Sequence, residues 1–84
     1  MNLFSYSNKI LTQYVSVLKE ANILKNISQD DIVNSIHNIL TKYEFNITKN
    51  DNMIVYQDLL DQLNLDDSIK NEALKLNLGL EDDY

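Results

Sequence analysis

The sequence predicts a small all-α bundle of three to four helices. Three observations predict it. Apolar residues recur at alternating steps of three and four along the first third of the chain, at Leu3, Ile10, Tyr14, Val17, Ala21 and Leu24, with Ser7 in one place of the row. A helix-start signature follows at Ser28, with Asp31 three residues on. Proline is absent and glycine occurs once, so little punctuates these patterns. The expected helices span about 2–25, 29–44, 51–63 and 67–77.

The first helix carries a second stripe beside the first, Phe4, Leu11, Val15 and Leu18. The combined arc covers about half the circumference, so it needs two neighbours or a second copy of itself. The break is Asn26-Ile27-Ser28. Ser28 is placed to cap the next helix, Ile27 and Ile32 form a hydrophobic staple, and Asp30 and Asp31 suit the positive end of its dipole. The second helix then turns Ile32, Ile36, Ile39, Leu40 and Tyr43 inward. Residues 44–56 have two readings. Alternating Tyr43, Phe45 and Ile47, a turn at 49–52 and Met53-Ile54-Val55-Tyr56 fit a short β-hairpin. The favoured reading caps a third helix with Thr48 or Asn50 and faces Met53, Tyr56, Leu59, Leu60 and Leu63 inward, since two strands alone are marginal. After Asn64-Leu65, Asp66 or Asp67 caps a short fourth helix with Ile69, Ala73, Leu74 and Leu76 apolar, and residues 79–84 form a frayed acidic tail.

Eighty-four residues make one domain with a thin stability margin. The absence of cysteine excludes a disulfide scaffold, a thiolate metal site and a cysteine nucleophile. The N-terminal stretch lacks a basic segment followed by an apolar core, and no apolar run is long enough for a bilayer, so a cytoplasmic protein is expected. Twelve asparagines, nine isoleucines and lysine without arginine are what an AT-rich coding sequence produces. That composition suggests a low-GC bacterium, its mobile elements or its phages.

Charge is the most informative feature for function. Residues 1–49 hold five lysines and four acids, whereas residues 50–84 hold two lysines and nine acids. A one-sided acidic field suggests a basic partner. The lack of arginine and the net charge of −6 argue against direct nucleic-acid binding. Tyr56 to Leu78 has a helix-turn-helix rhythm, but its second helix opens with Asp66, Asp67 and Glu72, which would repel phosphate. The turn Leu65-Asp66-Asp67-Ser68-Ile69 resembles the serine attachment site of acyl carrier proteins, which are also small, acidic and helical. The resemblance covers three residues. Its serine stands only sixteen residues from the C-terminus, so an Asp-rich cap is the simpler reading.

No nucleophile–base pair, metal-ligand spacing or glycine loop is present, so neither an enzyme nor a cofactor is expected. The single histidine, His37, has no paired ligand at metal spacing. Asn26-Ile27-Ser28 and Asn46-Ile47-Thr48 match the glycosylation pattern by chance in an asparagine-rich chain. The expected function is therefore binding. The acidic third, through Asp58, Asp61, Asp66, Asp67 and Glu72, would dock on a basic protein surface of a larger host protein. That surface would be one that normally holds nucleic acid, as with anti-restriction or anti-CRISPR inhibitors. Phe4 and Tyr6 are candidate interface anchors. The alternatives are an acidic immunity or antitoxin protein and a structural subunit that dimerises along its first helix.

Overall fold

The chain folds into four α-helices and one 3-10 turn in the computed structural model, which describes residues 3–76. The side chains of residues 3–5 and of Lys49 lie outside the description, and so do the anchor Phe4 and the tail 79–84 expected above. The helices are α1 (Leu3–Glu20), α2 (Gln29–Lys42), α3 (Asn52–Gln62) and α4 (Asp67–Leu74).

The first helix ends five residues before the expected boundary at 25, and the reason is conformational. Asn22 takes a positive φ of 62°. Its N–H donates to the Lys19 carbonyl, and the Ile23 N–H reaches back to the Leu18 carbonyl. This is a Schellman stop with asparagine in the place glycine usually holds. It lets Ile23 and Leu24 turn into the core, where both are buried. The next helix starts where expected: Ser28 Oγ accepts the Asp31 N–H at 3.1 Å.

The hairpin reading of 44–56 is overturned, since no residue described there is a strand. Instead α2 ends in a second Schellman stop. Phe45 N–H donates to the Leu40 carbonyl and Glu44 N–H to that of Thr41, with φ of 54° at Glu44 and 57° at Phe45. Two consecutive non-glycine residues in the left-handed region carry strain of order 1 kcal/mol each. The alternating Tyr43, Phe45 and Ile47 belong to this turn. Thr48 then opens the 3-10 turn Lys49–Asp51 that leads into α3. Its N–H and hydroxyl both donate to Asp51 Oδ2, at 3.2 and 3.0 Å. The helix start is thus capped by Thr48 together with Asp51, the reaching-back arm of a capping box.

A buried serine holds the strained turn against α1. Ser7 is fully buried, its Oγ accepts the Ile47 N–H at 2.9 Å, and its hydroxyl donates to the Phe45 carbonyl at 3.2 Å. The polar gap in the apolar row of α1 is therefore an anchor point.

Two tyrosines tie the remaining helices together. Tyr14 on α1 donates to the Asn52 carbonyl at the start of α3 at 2.9 Å, and Tyr56 on α3 donates to the Ala73 carbonyl on α4 at 2.6 Å. Their rings meet edge to face with centroids 5.1 Å apart, a favourable aromatic geometry. Burial pushes both phenols above their ordinary range. Around this pair Leu11, Leu18, Ile39, Ile47, Val55, Leu59 and Leu60 are fully or almost fully buried. The wide apolar arc of α1 is thereby covered by the chain's own elements, and Ala21, counted in the arc, is exposed beyond the helix end. The excess surface that suggested a dimer along the first helix is accounted for within one chain.

Candidate functional site

The α2–α3 and α3–α4 pairs set where the acidic residues stand. Asn38 reaches Gln62 and Lys42 reaches Asp58, so α2 and α3 run antiparallel. Lys70 reaches Asp61 and Tyr56 reaches Ala73, so α4 runs back along α3. The starts of α2 and α4 therefore share one end of the bundle with the ends of α1 and α3.

The five carboxylates expected at the partner surface divide into three environments. Asp58 lies in the α2–α3 seam, half-buried, where it accepts the Lys42 ammonium at 2.9 Å and the Tyr43 hydroxyl. The Tyr43 hydrogen bond, and then the Lys42 contact, hold its pKa below the usual carboxylate range. Desolvation and the bond to Asp58 push the Tyr43 phenol up to about 12. Lys42 also lies 5.6 Å from the centroid of the Tyr43 ring. Asp58 is thus already engaged inside the fold. Asp61 is exposed but ion-paired with Lys70. Asp66, Asp67 and Glu72 are exposed on α4. Asp66 is the N-cap residue with an extended backbone, and its side chain makes no capping hydrogen bond. At about 100° per residue, Glu72 points roughly 140° away from Asp67. The five do not form one continuous face.

A different grouping appears at the pole where α2 and α4 begin. Asp30 and Asp31 occupy the first turn of α2, Asp67 occupies that of α4, and Asp66 caps it. Each pair stands at the positive end of a helix dipole, which offsets part of the repulsion between them. Sequence reasoning assigned Asp30 and Asp31 to helix capping alone, because they belong to the half of the chain with balanced charge. Only the antiparallel return of α3 brings the two acidic turns to the same end.

Between these turns lies a cleft of about 330 Å³. Ile23, Ile27, Leu65 and Ile69 give it an apolar lining. Asn22, Asn26 and Asn64 carry carboxamides at its rim, and Lys25 and Asp66 supply its charges. Asn64, like Asn22, has a positive φ (57°), so each helix end that shapes the cleft turns on an asparagine. A second groove of about 250 Å³ continues on the other side of Ile27, towards Lys19, Gln29 and Ile32.

Other candidates read from the sequence are ordinary surface. His37 is exposed on α2, and among the described residues no three metal-ligating side chains gather. Ser68 is exposed in the first turn of α4. Tyr6 is half-buried against the core. Among the described residues no helix is long and apolar enough to cross a membrane. Larger exposed apolar residues are Val33 on α2, Phe45 in the strained turn, Met53 and Ile54 in the first turn of α3, and Leu74 at the end of α4. Comparison with known proteins found no similarity: no family, no curated protein and no solved structure matches this chain.

Proposed function

We propose that this protein is a small acidic binding module that docks on a basic surface of a larger protein. The observation that carries the reading is the pole where Asp30 and Asp31 of α2 meet Asp66 and Asp67 of α4. Helical backbones fix these carboxylates, whose orientation therefore costs little entropy on binding. Fixed carboxylates can take places that phosphates would occupy on a cationic partner, and their field speeds encounter. Asp61 and Glu72 flank this surface; Asp58 is committed to Lys42 and Tyr43. The composition of the chain favours a phage or mobile-element inhibitor or adaptor of the anti-restriction or anti-CRISPR type. An immunity or antitoxin protein would use the same surface, and the identity of the bound protein separates the two.

The test is affinity capture from a low-GC bacterial host, followed by association kinetics with the captured partner. Reversing Asp66→Lys and Asp67→Lys together should slow association at least tenfold at low salt and flatten its salt dependence. Unchanged kinetics in the double variant would remove the acidic pole from the interface.

A further inference from the structure

We infer that the cleft between the two acidic turns is the anchor pocket of this surface, and that it receives one aromatic or large aliphatic side chain from a basic segment of the partner. The inference rests on the acidic-pole reading and extends it from charge to shape. Interfaces concentrate their affinity in a few buried anchors, while surrounding polar contacts exclude water and set specificity. The cleft has the parts such an anchor needs. Ile23, Ile27, Leu65 and Ile69 line it with apolar surface, and at about 330 Å³ it is large enough for one aromatic ring.

Charge decides what flanks the anchor. Asp66 lines the cleft itself, and Asp67, Asp30 and Asp31 open the helices on its two sides. Lys25 is the cation in the wall, and it is exposed, so its aliphatic stem can line the cleft while its ammonium stays in water. A segment with lysines or arginines on both sides of an apolar residue matches this arrangement. The rim carboxamides of Asn22 and Asn64 are available to the peptide backbone.

Two blocked pentapeptides test it by titration into the isotope-labelled full-length chain, followed by amide NMR. One has two lysines on each side of a central phenylalanine, and its twin has alanine at the centre. The phenylalanine peptide should bind about tenfold more tightly. Its additional shifts should fall on residues 22–27 and 64–69. Asn26→Trp, which fills the rim from an exposed position, should abolish that advantage and leave the alanine twin's affinity unchanged. Equal affinities of the two peptides for the native chain, or phenylalanine-dependent shifts elsewhere, would overturn the pocket while leaving the acidic pole standing. If neither peptide binds at low salt, or if both bind Asp66→Lys/Asp67→Lys as well as the native chain, the acidic pole fails and the pocket with it.

Discussion

Replacing Ser7 with alanine should cost this protein a large part of its stability, although it removes one oxygen atom. Ser7 Oγ lies in the fully buried face of α1, accepts the Ile47 N–H and donates to the Phe45 carbonyl. Alanine fits the space and suits the helix, so packing and propensity change little. What changes is hydrogen bonding. Ile47 is fully buried, and its N–H would lose this acceptor in a place water does not reach. Leaving a buried donor unsatisfied costs about 1–3 kcal/mol. The lost tether also releases a turn whose Glu44 and Phe45 sit at positive φ. We expect a loss of about 2–3 kcal/mol, against a total of roughly 5–10 kcal/mol for a chain of this size. Urea unfolding followed by far-ultraviolet circular dichroism should show the midpoint falling by about 2 M, for a slope near 1 kcal/mol per molar. Ser16→Ala, at an exposed position of the same helix, should stay within about 0.5 kcal/mol of the native chain. A Ser7→Ala midpoint matching that of Ser16→Ala would refute the claim that the serine holds the turn.

Three further outcomes follow from the same geometry. Tyr56→Phe removes the hydrogen bond to the Ala73 carbonyl, which still accepts the Leu76 N–H; the loss should be only about 1 kcal/mol, with hydrogen exchange accelerating first in α4. The seam of Lys42, Tyr43 and Asp58 should shape both limbs of the pH–stability profile. Asp58 has a lowered pKa in the fold, so its contribution is complete above the ordinary carboxylate range and disappears as pH falls through the folded value; Asp58→Asn should flatten that acid limb. Tyr43 is raised from 10.0 to about 12, so its contribution is complete below pH 10.0 and is lost as pH rises towards 12; Tyr43→Phe should flatten the alkaline limb, and thermal melts across pH would reveal either failure. Glu44→Gly should stabilise the chain by about 0.5–1 kcal/mol, because relief of the positive φ outweighs the added freedom of the unfolded chain; a lower urea midpoint would contradict the strain at Glu44.

The helices were legible because their signals are local. The three-and-four spacing of Ile10, Leu11, Tyr14 and Leu18 is a property of one helix surface, and the Ser28 cap needs only Asp31 beside it. The end of α1 was missed because nothing about Asn22 alone announces a left-handed residue; asparagine tolerates that conformation without requiring it. The hairpin alternative arose for a related reason. Strand-like alternation at Tyr43, Phe45 and Ile47 is mimicked by a turn that needs Ser7, about forty residues earlier, to hold it. The candidate site was half legible. Asp66 and Asp67 stood out as charge, but their neighbours Asp30 and Asp31 join them only through the antiparallel return of α3. Asp58 resembled its acidic neighbours in sequence, and the difference lies in Lys42 and Tyr43 across the seam.

The fourth helix has eight residues, too few to persist alone in water, so it exists only while docked through Ala73, Ile69 and Tyr56. Recognition is therefore gated by an equilibrium inside the protein. Each excursion in which this short segment peels away removes half of the negative pole and one wall of the cleft together. The apparent affinity for any partner scales with the fraction of molecules in which the segment is seated. A substitution at the Tyr56 contact, far from the partner, would then weaken capture without touching a single interfacial atom.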